Sequence, residues 1–192
     1  MDETGVFFRV LPERGLVEKK TKAKGGKRSK LRMTAAFFVS GNGGKVCDPV
    51  IIWRSKNPRC FRRIVGPKKT PKNVQYYHDP KSWMQTSIME DVLKKLNSKL
   101  IKEKRNVILF LDNATCHPVT LDALVSNITV RFLPKNTTSK LQMLDAGIIR
   151  CFKAKYRKKL VSYIVSRINA GKSATEITKD VTGHPMDARG IE

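Results

Sequence analysis

Asn106-Val107-Ile108-Leu109-Phe110-Leu111-Asp112-Asn113 runs through five consecutive apolar residues and stops on a carboxylate. A short apolar run without a polar interruption reads as a strand buried on both faces in the middle of a sheet. An aspartate at the end of so apolar a strand needs a cation or a hydrogen-bonded role. The carboxyl edge of a sheet is where ligands gather in α/β folds, and Asn113 offers a further oxygen beside Asp112. A turn or helix-capping aspartate is the purely structural reading of the same residue.

Upstream of this strand, Ser87-Ile88-Met89-Glu90 has capping-box spacing, and Met89, Val92, Leu93, Leu96 and Leu100 recur at helical intervals, which predicts a helix to about Glu103. Leu31–Ser40 and Val46–Trp53 are β-rich and flank Gly41-Asn42-Gly43-Gly44, predicting a hairpin closed by a tight turn. Asn57–Lys72 has a loop composition, and Val74–Tyr77 reads as a short extended piece. Downstream come a short helix near Thr120–Val125, a strand at Ile128–Phe132 and a loop at Leu133–Thr138. A long helix is expected from near Asp145, with Ile148, Ile149, Phe152, Tyr156, Leu160, Tyr163 and Ile164 on one face and Arg150, Lys153, Arg157 and Lys158 largely away from it. Past Gly171 a weak helix around Ala174–Val181 leads to a polar tail. This order of elements predicts an α/β domain with a mixed central sheet flanked by helices.

At 192 residues with 40% hydrophobic content, the chain is sized for one compact core. Its 39 lysines and arginines against 16 acidic residues give a net charge of +23, which points to a polyanion as working partner, nucleic acid first. The excess gathers in Lys19–Arg32, Arg54–Lys72 and Arg150–Lys159, the footprint of phosphate contacts, and makes Lys27, Arg28, Lys30, Lys56, Arg59, Arg62, Arg63, Lys153 and Arg157 candidate DNA-binding residues. An evenly solvated basic surface is the bland alternative. No apolar run approaches the ~20 residues needed to span a bilayer, and no signal-peptide pattern opens the chain, so it reads as intracellular with no membrane partner. Cys47, Cys60, Cys116 and Cys151 form no CxxC pair and read as reduced thiols; Cys116-His117 lacks a second pair to complete a zinc site.

Two further acidic positions stand out. Asp145 precedes the long helix, where an aspartate serves equally well as N-cap. Asp2-Glu3 lies in a strand end and, alone, is a solvated acidic pair. Three carboxylates from separate elements can nevertheless hold two divalent ions ~3.5–4 Å apart for phosphodiester displacement, and hard oxygen ligands suit Mg²⁺ or Mn²⁺.

Met1-Asp2-Glu3-Thr4-Gly5, Leu111-Asp112-Asn113-Ala114 and the stretch from Phe132-Leu133-Pro134-Lys135-Asn136-Thr137-Thr138-Ser139 through Lys140-Leu141-Gln142-Met143-Leu144-Asp145-Ala146-Gly147-Ile148-Ile149 closely resemble the catalytic domain of pogo/Tigger-type DDE transposases, relatives of centromere protein B and the jerky proteins. Gly25–Lys30, Ser55–Phe61, Trp83-Met84 and Phe152–Arg157 are also similar, in the family's order, so the resemblance covers roughly Met1–Ile164. It implies an RNase H-like domain over residues 1–170, followed by a C-terminal helix and polar tail at 171–192. It also implies a catalytic, metal-binding triad of Asp2, Asp112 and Asp145, the last two 33 positions apart. Two Mg²⁺ or Mn²⁺ ions and DNA strand cleavage and joining follow as expectations, with homo-oligomerisation left open; separately, Lys19-Lys20-Thr21-Lys22 with Lys27-Arg28 beyond suits nuclear import as well as phosphate binding, so a nuclear location is expected. His117 falls in a segment like the family's Asp-Asn-Ala-x-x-His, as a residue that orients the loop, approaches phosphate or is a plain loop histidine.

Lys135, Lys140, Met143 and Ala146 stand where the family has Pro, Leu, Pro and Gln, and a lost proline beside the third carboxylate is expected to loosen the turn that aims it. The family's first aspartate normally follows a longer strand and upstream helix-turn-helix domains, so the first strand is expected to lack its upstream half and the chain reads as a fragment or eroded copy. A domesticated or decayed DNA-binding module without turnover is the competing function. A basic RNA-associated protein explains the charge but not the carboxylates.

Overall fold

The computed structural model describes residues 1–8, 31–44, 46–58, 61, 71–173 and 175–177. Among these residues, six strands form two sheets. The larger joins β1 (Asp2–Val6), β2 (Met33–Phe37), β3 (Val50–Trp53) and β4 (Gln75–His78) in that order, the first two pairings antiparallel and the last parallel. The smaller pairs β5 (Val107–Leu111) with β6 (Ile128–Phe132) in parallel. Between the sheets run α1 (Thr86–Lys102) and, after β5, a 3₁₀ turn at Val119–Leu124. The closing elements are α2 (Thr138–Leu141), a π-helical turn at Leu144–Ile148 and α3 (Ile149–Asn169). The molecule is mixed α/β, as its sequence periodicities predict.

Strand alternation divides the core in two, because successive side chains leave a strand on opposite faces. Ala36, Val50 and Ile52 face α1, where Ile88, Met89, Val92, Leu93, Leu96 and Leu100 pack beneath Leu111, Leu121, Ile128 and Val130. Met33, Ala35 and Trp53 face the other way, with Val6 and Phe8, against Phe152 and Tyr156 of α3. Edge-on ring contacts of Phe8 with Trp53 (5.0 Å) and Phe37 with Phe152 (4.9 Å) lock this second layer.

Several expectations are corrected. The hairpin exists, but β2 and β3 are joined by a long connection; Gly41–Gly44 make only its local turn, closed by Gly43 N donating to the Ser40 carbonyl at 2.9 Å. β5 is not a central strand buried on both faces: Ile108 and Phe110 are 62% and 54% exposed while Val107, Leu109 and Leu111 pack inward. A continuous apolar run cannot report on one face being left uncovered. The capping box is not made either, since α1 starts from Gln85 with no side-chain cap. Asp79 organises that entry instead: its Oδ2 accepts from the backbone nitrogens of Lys81 (2.9 Å) and Trp83 (3.0 Å) and its Oδ1 from Gln85 Nε2 (3.1 Å). On α3, Ile149 and Leu160 are buried and Phe152 and Tyr156 packed as expected, but Ile148 falls in the π turn and is exposed. The helix expected at Ala174–Val181 is described only at 175–177, and the rest lies outside the described residues.

Candidate metal centre

Three elements bring the candidate carboxylates towards one edge of the molecule. The Met1 nitrogen donates to the Phe110 carbonyl at 3.0 Å and Gln142 Nε2 donates to the Met1 carbonyl at 3.2 Å. These bonds set the start of β1 beside the end of β5 and the segment leading to Asp145. Asp2, at the first position of β1, is 6% exposed. Its Oδ1 accepts from Glu3 N at 2.8 Å, while Oδ2 is buried without a hydrogen-bond partner. Burial pushes the Asp2 pKa up to about 7, and the charges of Asp145, Glu3 and Asp112 push the same way against the Glu3 hydrogen bond.

Asp112 leaves the end of β5, as its sequence position predicts. Its Oδ1 accepts from Ala114 N at 3.3 Å and from His117 Nδ1 at 2.9 Å. The His117 hydrogen bond holds this carboxyl below its usual range although burial opposes it. Asp145 is exposed and lies within the π turn rather than before it. The expected N-cap role is not taken up: neither the π turn nor α3, whose N-cap is Ile148, has a side-chain cap. Gly147, at φ 177° and ψ −27°, breaks the helical backbone of this turn, so the chain kinks between Asp145 and α3.

His117 is the residue around which the loop after β5 is built. Its side chain is fully buried, with Nε2 2.9 Å from Glu3 Oε1 and Nδ1 2.9 Å from Asp112 Oδ1 and 3.3 Å from the Asp112 carbonyl. Burial alone would lower its pKa, but hydrogen bonds to Asp112, Cys116 and Glu3 outweigh it and push the value up to about 12. With a carboxylate oxygen 2.9 Å from each ring nitrogen, both nitrogens act as donors and the imidazole is held as a cation, and the phosphate-approaching role fits a fully buried ring poorly. Sequence reading left Glu3 out of the site; its partner His117 is 114 positions away, so no local pattern announces the pair.

An oxygen-only set with a buried, unpartnered carboxylate oxygen fits a hard divalent cation such as Mg²⁺ or Mn²⁺, since the charge on Asp2 otherwise has to be neutralised by a proton. Among the described residues, the one group of three His, Cys, Asp or Glu side chains whose ligand atoms all lie within 4.8 Å of one another is Glu3, Cys116 and His117, not the three aspartates. Glu3 thus lies with the Cys116-His117 pair that the sequence leaves without a complement, but with both His117 nitrogens turned to carboxylates the ring has no lone pair for a metal. A cleft of about 750 Å³, bordered by Val46, Asp48, Gln75, Lys95 and Lys99 among others, has none of Asp2, Asp112 and Asp145 in its lining. Of the candidate DNA contacts, Lys56 and Arg157 are exposed and Lys153 is half-buried. Lys27, Arg28, Lys30, Arg59, Arg62 and Arg63 lie outside the described residues.

A family model described as DDE superfamily endonuclease matches residues 30–182, a span that includes Asp112 and Asp145 and begins after β1. Tigger transposable element-derived protein 4 of Mus musculus is 31% identical over 90% of this chain and 32% of its own length. ARS-binding protein 1 of Schizosaccharomyces pombe is 31% identical over 93% of this chain and 34% of its own length. The Jerky protein homolog of Homo sapiens is 29% identical over 79% of this chain and 28% of its own length. The chain therefore spans about a third of the length of these relatives. No solved structure matches it.

Proposed function

Because the chain belongs to the DDE superfamily endonuclease family, we propose that it is a transposase-derived, divalent-metal-dependent DNA endonuclease and strand-transfer domain. In this reading residues 1–170 make an RNase H-like unit, and Asp2, Asp112 and Asp145 hold Mg²⁺ or Mn²⁺. The observation that carries it is the buried Asp2 carboxylate, with Oδ2 unpartnered and a pKa raised to about 7, first by burial and then by the charges of Asp145 and Asp112. Two ions held there would supply Lewis acidity to the attacking and leaving oxygens of a phosphodiester. The protein's own share is positional: β1 fixes Asp2, the β5 end fixes Asp112, and the π turn presents Asp145 from the entry to α3. Lys153 and Arg157 on α3, together with Lys56, offer cations to the DNA backbone, consistent with a net charge of +23. A DNA-bound domain of this family would work in the nucleus.

A second reading, a DNA-binding module without turnover, is favoured by one feature: Asp145 is exposed, caps nothing and follows Met143, itself 60% exposed, where the family's proline is replaced. Incubating the chain with supercoiled plasmid in Mg²⁺, Mn²⁺ or EDTA, beside Asp112→Asn and Asp145→Asn, separates the two. Cation-dependent nicking that disappears in both folded variants is expected for the enzyme. Retention of DNA without nicking in any cation would establish the binding module.

A further inference from the structure

Resting on the metal-ligand reading of Asp112, we propose that His117 is a positioning residue which, anchored by Glu3, fixes the Asp112 carboxylate and its distance from β1. Among the described residues, both bonds made to that carboxylate, from His117 Nδ1 at 2.9 Å and Ala114 N at 3.3 Å, fall on Oδ1. Oδ2 is thereby left for a cation. The ring itself is held from its other nitrogen, 2.9 Å from Glu3 Oε1, and its side chain has no exposed surface on which to reorient.

Glu3 is the right anchor because of strand geometry. It follows Asp2 on β1, so the two side chains leave the strand on opposite faces. The loop after β5 can therefore grip β1 through Glu3 without occupying the face on which Asp2 lies. The chain Glu3–His117–Asp112 crosses between two separate sheets, whose other described tie here is the Met1–Phe110 hydrogen bond. Partners that orient a metal ligand from behind typically contribute ~10–100-fold in metal affinity.

Calorimetric titration of MnCl₂ into the full chain tests this, with thermal unfolding recorded for each variant. Asp112→Asn is expected to abolish binding, and His117→Ala and Glu3→Ala each to weaken it ~10–100-fold. The double variant should be no worse than either single one, since the two residues act as one tie. Glu3→Gln keeps an oxygen acceptor for Nε2 and should bind near wild type, and Cys116→Ser should bind unchanged. Wild-type affinity in His117→Ala and Glu3→Ala, with binding lost in Asp112→Asn, would overturn the positioning role and leave the carboxylate reading standing. Full affinity in Asp112→Asn, or no binding by the wild type, would sink both. Loss of binding in Cys116→Ser would make Glu3, Cys116 and His117 the ligands themselves, which also overturns the proposal. Should His117→Ala fail to fold, Glu3→Ala and Glu3→Gln decide the matter, because the Glu3 side chain is 15% exposed and tolerates truncation better.

Discussion

Asp2 is the side chain that folding treats least kindly. Its carboxylate is buried, one oxygen has no partner, and Asp145 and Asp112 add repulsion, so without a cation it destabilises the protein it belongs to. Asp2→Asn keeps the shape and removes the charge. In EDTA at pH 8 this variant should melt a few degrees higher than the wild type, a shift that corresponds to about 1 kcal/mol. Mn²⁺ should raise the melting temperature of the wild type and leave that of the variant unchanged. A variant that melts lower than the wild type in EDTA would remove the case for a cation at this position.

Among the elements, α1 shows how one acidic residue outside a helix can set its start. Desolvation works to raise the Asp79 pKa, but hydrogen bonds from Trp83, Gln85 and Lys81 hold it below the ordinary value of 3.8. A carboxyl whose folded pKa is depressed stabilises the protein fully above its unfolded pKa, and that contribution is lost as pH falls through the folded value. Asp79→Asn should therefore cost about 1–2 kcal/mol in urea unfolding at pH 7, a difference that closes as pH drops below about 4. A cost that persists unchanged at pH 3 would assign the effect to packing. The capping-box spacing at Ser87–Glu90 was a misleading signal here, because the first turn of α1 begins at Thr86 and its organising acceptor lies seven positions earlier. β5 is the other lesson at this scale. Its apolar run and its terminal aspartate were legible, but the exposure of Ile108 and Phe110 was not, since covering depends on elements far away in the chain.

For the whole molecule the governing quantity is charge. A protein with a net +23 that binds DNA through phosphates should lose affinity steeply with salt, log K falling by about 0.9 per neutralised phosphate against log salt. Replacing Lys153 and Arg157 together by alanine should reduce that slope by about 1–2 without changing sequence preference, as measured by anisotropy across a salt series. An unchanged slope would move the DNA path off α3. The family, the basic charge, the strand-ending Asp112 and the order of most elements were determined by sequence alone, because motif spacing, net charge and periodicity are local or additive properties of a chain. Tertiary structure decided the rest. The Glu3–His117–Asp112 tie, the orphaned oxygen of Asp2, the π turn carrying Asp145 and the open face of β5 each depend on which distant segments meet, and pairings across more than a hundred residues leave no mark on either partner's neighbours.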